Sequence, residues 1–111
     1  MKHSGWDYLE HMLEDCADIT AAMEMVCSVN DFKQNRIIHK AVIYSLLNLG
    51  ELCKKLTEAE KAEYSHIPWN RIIGFRNRSS HGYHHLDLDI VYEIANKYIP
   101  PLYNVLQKHS Q

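Results

Sequence analysis

The sequence predicts an all-α domain, a bundle of four or five helices whose last helix is kinked. Apolar residues recur at spacings of three and four along most of the chain, which is the period of a helix that buries one face. No stretch alternates polar and apolar residues over a sustained length, as a half-buried strand would. Glycines and prolines are few and mostly mark breaks between the periodic segments. Helices that each carry an apolar face pack together as a bundle.

The first helix is predicted from an apolar face in the N-terminal part of the chain. The prediction ends this helix near Asn30 and makes Asp31 the cap of the second helix, because an aspartate side chain can accept a hydrogen bond from a first-turn N–H group. The residues of the face are Leu9, Met12, Leu13, Cys16, Ile19, Met23 and Val26.

The second helix has too many apolar residues for a single face. Ile37, Ile43, Leu46 and Leu47 widen its seam, so this helix is predicted to be either central in the fold or buried on two sides. A subunit interface would serve as the second side. The seam itself consists of Ile38, Ala41, Val42, Ser45, Leu49, Leu52, Cys53 and Leu56.

A short helix and a longer one follow. Thr57 with acidic residues directly after it is typical of a helix start, and Pro68 ends that short helix. Pro68 also suits the first turn of the next helix, because its missing N–H group has no partner there in any case. The apolar face of this next helix is Trp69, Ile72 and Ile73.

The last helix is predicted to begin after Asp87, whose residue type suits a cap, and to bend at Pro100 and Pro101. Each proline removes a backbone donor from the helical ladder, which is a common cause of kinks. The apolar face is Leu88, Val91, Tyr92, Ala95, Ile99, Leu102 and Leu106.

Length and composition limit the class of protein. With 111 residues the chain is long enough for one core, so a single domain over residues 1–111 is predicted. A hydrophobic content of 46% and a charged content of 23% are those of a globular domain, which excludes disordered and fibrous classes. The net charge of -2 argues against a surface that is basic throughout. No apolar segment suits a signal peptide or a membrane span, so we expect a cytoplasmic protein.

The three cysteines predict no redox or metal motif. Cys16, Cys27 and Cys53 are odd in number and lack the close C-x-x-C spacing of such motifs. We therefore expect buried free thiols.

One short segment concentrates positive charge. The segment RIIGFRNRSSHGYHH, residues 71–85, holds three arginines and three histidines, and no Asp or Glu occurs between Tyr64 and Leu86. The net charge therefore conceals a local basic patch. Its members are Arg71, Arg76, Arg78, His81, His84 and His85, with His66 just before them.

Arg76 is the most unusual of these residues by position. It continues the series Trp69, Ile72 and Ile73 on the apolar side of its helix. Because burying an unpaired cation is costly, Arg76 should meet a carboxylate, a neighbouring subunit or an anionic ligand. One alternative is a structural ion pair with Glu51 or with a carboxylate of another subunit.

Arginine and histidine suit cleavage of an RNA phosphodiester. The guanidinium can hold a phosphate and stabilise added charge, and an imidazole can take a proton from a 2'-hydroxyl or give one to the leaving oxygen. A helix end at Ser79 and Ser80 would let the chain bring His81 back toward Arg76. Cleavage needs both a base and an acid, and a symmetric dimer would supply two copies of His81.

Two other functions are open on the residues alone. His81, His84 and His85 are competent ligands for zinc or nickel, although no cysteine or carboxylate is close in sequence to complete the shell. The other alternative is a non-catalytic helical module whose arginine-rich loop binds a nucleotide or a nucleotidyltransferase partner. Loss of His81 separates these functions, because docking tolerates the loss of a titrating group and cleavage does not.

The segment IPWNRIIGFRNRSSHGYHHLDLDIVYEI, residues 67–94, resembles the core of the HepT-like branch of the HEPN ribonuclease superfamily. The signature of that branch is Arg, four residues, His, one residue, Tyr, and Arg76, Asn77, His81 and Tyr83 match it. The segment LNLGELCKKL, residues 47–56, is similar to the second-helix segment of the family, so the resemblance extends over most of the chain.

The resemblance implies a helical homodimer that cleaves RNA without a metal or other cofactor, with the motifs of both subunits facing one cleft. It also implies a toxin that is neutralised by a partner, a minimal nucleotidyltransferase antitoxin that transfers AMP to Tyr83. Such a group would add negative charge and bulk close to His81, which would block the RNA phosphate.

The expected site follows from the residues and the resemblance together. Arg76 and His81 are its catalytic residues, Asn77 supports the loop or a phosphate oxygen, and Glu51 or Asn48 lines the cleft. The RNA would be steered by four further side chains, which are Arg71, Arg78, His84 and His85.

Overall fold

The computed structural model describes residues 4–78 and 86–111, with the backbone alone for residues 76–78. The all-α prediction is confirmed, and the described residues contain no strand. A 3₁₀ turn at Gly5–Tyr8 is followed by α1 (Leu9–Met23), α2 (Val29–Gln34), α3 (Arg36–Cys53), α4 (Glu58–Ala62), α5 (Trp69–Arg78), α6 (Leu88–Glu93), a π segment (Ile94–Tyr98) and α7 (Ile99–His109).

The helix α3 is the centre of the bundle. It packs against both α1 and α5, and α7 packs against α1. The excess of apolar residues on α3 is thereby explained in large part, since Ile43 and Leu46 are buried. Although α3 has 18 residues, neither it nor any other helix of the described chain is long and apolar enough to cross a membrane.

The predicted boundary between the first two helices is wrong. Helix α1 ends at Met23, and Ser28 rather than Asp31 caps the next helix, α2, by accepting a hydrogen bond from the N–H group of Asp31. Asn35 then adopts an extended conformation and caps α3. Polar side chains that bond to nearby backbone favour a break over a continuous helix, which is why the chain divides twice here.

The two other predicted caps are confirmed. Thr57 accepts from the backbone N–H of Glu60, and the Glu60 carboxylate accepts in return from the N–H of Thr57, which together form a capping box. Asp87 accepts from the N–H of Asp89 and caps α6. Lys33 on α2 pairs with Asp89 at 3.3 Å, which ties the first turn of α6 to the bundle.

The predicted interruption of the last helix takes the form of a π segment. The N–H group of Ile99 donates to the carbonyl of Ile94, five residues back. Pro100 and Pro101 follow directly and have no N–H groups to continue the regular ladder. A widened turn just before them accommodates the missing donors.

The prediction of buried cysteines is right for two residues and wrong for the third. Cys16 and Cys53 are fully buried, and burial raises the pKa of both thiols. Cys27 is exposed in the turn after α1. It continues no apolar face, because the helix has ended four residues earlier.

Candidate nucleic-acid interface

Helix α5 carries the first half of the arginine-histidine motif. The indole N–H of Trp69 donates to the carbonyl oxygens of Lys61 at 3.1 Å and Tyr64 at 3.2 Å, which fixes the start of the helix. Ile72 and Phe75 are buried in the core. Ile72 belongs to the predicted apolar face of this helix. Phe75 does not belong to that prediction, although it stands three residues after Ile72. The backbone of α5 continues to Arg78, so Arg76 and Asn77 occupy its last turn.

The second half of the motif lies outside the described residues. This applies to His81, Tyr83, His84 and His85, and to the side chains of Arg76, Asn77 and Arg78. The roles assigned to these residues from the sequence therefore stay predictions.

Arg71 is the member of the basic patch whose contacts are described. Its Nη1 lies 3.4 Å from Oε1 of Glu93, and its guanidinium lies 5.4 Å from the centre of the Tyr98 ring. The local sequence offers no carboxylate, but the fold brings one from α6. Both charged side chains are more than half exposed, so the pair adds little stability. Its effect is to hold the guanidinium at a defined place on the surface.

Arg71 and Glu93 stand on opposite walls of a groove between α5 and α6. The groove has a volume of about 350 Å³. Such a volume lies near the lower end of the range for small-ligand sites, roughly 300–1,000 Å³. Its remaining lining is Asn70, Gly74 and Phe75 from α5 with Ile90 and Ile94 from the other side.

Among the described residues, no packing contact requires a glycine at Gly74. A Cβ atom built at this position meets no described atom within 4 Å. Glycine inside a helix is nevertheless less stable than alanine by roughly 1 kcal/mol. The small residue therefore keeps space open in the groove at some expense of helix stability.

Glu51 belongs to a different surface, a groove of about 400 Å³ between α1 and α3 that we call the acidic groove. Asn48, the alternative supporting residue, lines the same groove. The two described linings share no residue, so Glu51 is not part of the α5–α6 groove. The remaining residues of the acidic groove are His11, Glu14, Asp15, Asp18, Tyr44, Ser45 and Leu52.

The acidic groove has a strongly negative electrostatic character. The pKa of Asp15 is raised from 3.8 to about 6, chiefly by burial and then by the neighbouring charges of Asp18 and Glu14, against a smaller opposing effect of His11. Sequence patterning did not identify this site, because the groove forms only when α3, with Glu51, packs against the α1 carboxylates. An anionic backbone such as RNA is repelled by this surface.

The described residues contain no group of three or more histidine, cysteine or acidic side chains that could hold a metal ion. The alternative metal site at His81, His84 and His85 lies outside them. The described part of the chain therefore contains the α5–α6 groove and no such group of metal-binding side chains.

A helical bundle whose fifth helix ends in an Arg-Asn pair ahead of a histidine and a tyrosine has the features of a HEPN-type ribonuclease. A family model described as Ribonuclease HepT-like matches residues 9–109. The chain therefore belongs to the HepT-like ribonuclease family.

Three curated relatives have similar lengths and names. The chain is 32% identical to "Putative RNase TTE0752" of Caldanaerobacter subterraneus over 86% of this chain and 84% of that protein. It is 32% identical to "Putative RNase MJ1216" of Methanocaldococcus jannaschii over 93% and 81% respectively. It is 29% identical to "Probable ribonuclease HepT" of Thermococcus cleftensis over 97% of both chains. No solved structure matches the chain.

Proposed function

We propose that the protein is a metal-independent endoribonuclease toxin that acts as a homodimer and is neutralised by AMP transfer to Tyr83. The observation that carries the proposal is the family match over residues 9–109, which spans all residues of the Arg-Asn-His-Tyr signature. The chemistry of those residue types supports it, because phosphate binding and proton transfer are what RNA cleavage needs.

Each residue of the signature has a separate task. Arg76 binds the scissile phosphate and stabilises the charge that develops on it. His81 of one subunit takes the proton of the 2'-hydroxyl as that oxygen attacks phosphorus, and its symmetry mate gives a proton to the departing 5'-oxygen. Asn77 holds the loop or a phosphate oxygen. The RNA is steered by Arg71, Arg78, His84 and His85.

The homodimer is supported by an uncovered apolar row on α3. Ile37 is 82% exposed and Tyr44 is 67% exposed, and these two residues stand seven positions apart, two helical turns along one face. Ala41 lies exposed between them. Large apolar side chains with this exposure are typical of a contact surface. If a second copy of the chain covers this row, α3 is buried on two sides, as its apolar residues predict.

Tyr83 is the control point of the proposed toxin. A nucleotidyltransferase partner would join the Tyr83 oxygen to the α-phosphorus of ATP, with release of pyrophosphate and loss of the phenolic proton. The product carries a phosphate charge and a bulky nucleoside two residues from His81 in the chain. Both properties oppose the approach of an RNA phosphate.

The test is cleavage of total cellular RNA by the purified protein in EDTA, after mass spectrometry has shown that Tyr83 is unmodified. We expect His81→Ala to lose activity by a factor of at least about 100, the usual loss for a missing acid or base. His66→Ala is the matched control, since His66 is an exposed histidine outside the motif. It should cleave like the wild type.

Three results contradict the proposal. If wild type and His81→Ala are equally inert, the non-catalytic binding module becomes the better explanation. If both cleave equally, the activity comes from elsewhere than His81. Activity that disappears in EDTA would instead restore a metal-dependent site.

A further inference from the structure

We infer that the α5–α6 groove is a subsite for one nucleotide that flanks the scissile phosphate of the RNA substrate. This inference rests on the proposed ribonuclease function and names the place where a neighbouring base is held. Neither the family match nor the relatives assign a role to the groove. Its members are Asn70, Arg71, Gly74, Phe75, Ile90, Glu93 and Ile94.

The position of the groove supports the inference first. Its α5 wall ends at Phe75, and Arg76 is the next residue of the same helix. Around the helix Arg76 is about 200° from Gly74, because each residue turns an α-helix by roughly 100°. The groove lies between α5 and α6, the two helices that flank the motif in the chain, so an RNA strand bound at the motif can place an adjoining nucleotide in it.

The chemistry of the lining fits a base and its phosphate. Ile90 and Ile94 give an apolar wall, against which the face of a base can pack. The Asn70 amide has both a donor and an acceptor for a base edge. Arg71, placed by Glu93 and the Tyr98 ring, presents donors that suit a phosphate oxygen.

The glycine at Gly74 distinguishes the α5–α6 groove from an ordinary surface crevice. A side chain at this position has free space to enter, and every residue larger than glycine would occupy the groove. Selection for helix stability alone favours alanine here. The groove volume of about 350 Å³ has room for one base, and lies within the range of small-ligand sites.

The experiment fills the groove without disturbing the fold. Wild type, Gly74→Ala and Gly74→Met are compared for binding of a 2'-O-methyl RNA of about ten nucleotides, which cannot be cleaved and matches the usual size of single-strand sites. Fluorescence anisotropy gives the Kd. Ala21→Met, at an exposed position of α1, is the matched control. Thermal unfolding checks that Gly74→Met is folded, since methionine favours helices more than glycine does.

We expect Gly74→Met to raise the Kd about tenfold, because stacking of a single base contributes on that order. Gly74→Ala should have a smaller effect and Ala21→Met none. In the wild type, titration with AMP should shift the NMR signals of the Gly74 backbone amide and the Asn70 side-chain amide.

Three results overturn the inference. They are unchanged binding by Gly74→Met, failure of the wild type to bind the oligonucleotide, and a loss of binding that follows a loss of self-association in sedimentation. In the last case the groove is a contact between two copies of the chain.

The experiments distinguish a failure of the proposed subsite from a failure of the proposed ribonuclease function. Binding that depends on Gly74 in a protein that never cleaves RNA supports the subsite and contradicts the ribonuclease. Cleavage that depends on His81 but not on Gly74 supports the ribonuclease and contradicts the subsite.

Discussion

The bundle has two grooves that differ in charge. Between α1 and α3 lies the acidic groove, where three carboxylates of α1 and one of α3 line a single depression next to exposed Tyr44. Between α5 and α6 lies the groove that contains Arg71 and Asn70, on the helix that carries the first half of the arginine-histidine motif. A net charge of -2 is the sum of these unlike regions and describes neither of them.

The two grooves should contact different partners. RNA should approach the α5–α6 side and avoid the acidic groove, because phosphates are repelled by carboxylates. The exposed apolar row beside the acidic groove is then available for a protein contact. Three changes test this division, beginning with the largest expected effect.

Introducing charge into the apolar row should separate the subunits. We expect the double variant Ile37→Asp with Tyr44→Asp to raise the dimer dissociation constant at least about a hundredfold, as loss of a buried contact centre does. Analytical ultracentrifugation measures the constant. A composite site also requires that RNA cleavage falls with the dimer population.

Met25→Asp is the control for the dimer variant. Met25 is 69% exposed, much like Tyr44, but it lies in the turn after α1 and not on the row. Equal loss of dimer in both variants, or in neither, would show that the row is not the contact surface.

Reversing the charge of Arg71 should weaken RNA binding and leave the dimer intact. For Arg71→Glu we expect a Kd about tenfold higher at low salt and a shallower salt dependence by about one ion, because one phosphate contact is lost. Binding titrations across a salt series give both numbers. Lys108→Glu makes the same charge change at an exposed site near the end of α7, and an equal effect there would mean that only total charge matters.

Removing the charge of Asp15 should stabilise the fold by a small amount. A carboxyl whose folded pKa lies near 6, above its ordinary value of 3.8, favours the folded state below pH 4 and loses that contribution as the pH rises through 6. Asp15→Asn should therefore raise Tm at pH 7 by about 2–4 °C, a modest effect because water screens a partly exposed group.

The same variant should give no gain in Tm at pH 4, where Asp15 is already protonated in the folded state. Scanning calorimetry at the two pH values measures the difference. Glu24→Gln removes a carboxyl at the exposed end of α1 and should not show this pH dependence. An equal gain in Tm at both pH values would mean that Asp15 affects stability through packing and not through its charge.

Local patterns predicted the helices well where caps and apolar spacing agree. Thr57, Asp87 and the two prolines each act on neighbouring backbone, so their effects can be read from adjacent residues. The first boundary was misplaced because Ser28 and Asn35 compete with Asp31 for the same task. Residue type alone does not show which of these three residues caps a helix.

The site was predictable in its chemistry and less so in its surroundings. The signature residues stand close together in sequence and were found there. The partner of Arg71, by contrast, is Glu93, which is 22 residues away and becomes a neighbour only when α6 packs near α5. In the acidic groove Glu14, Asp15 and Asp18 are close in sequence, but Glu51 joins them only when α3 packs against α1.

A single carboxylate joins two distant parts of the chain. Glu60 accepts from the N–H of Thr57 at 2.9 Å and from the N–H of Gly5 at 3.1 Å, and it also accepts from the Ser4 hydroxyl. These bonds lower the pKa of Glu60, the Ser4 bond most. A Cβ at Gly5 would lie 2.6 Å from Cα of Leu56, so only glycine permits this approach.

The start of α4 and the docking of the N-terminal turn are therefore one cooperative unit that closes a loop of 55 residues. In hydrogen exchange, the amides of Gly5 and Thr57 should open together, with one common opening free energy. As acid protonates Glu60, both ends of that loop lose their shared acceptor at the same pH.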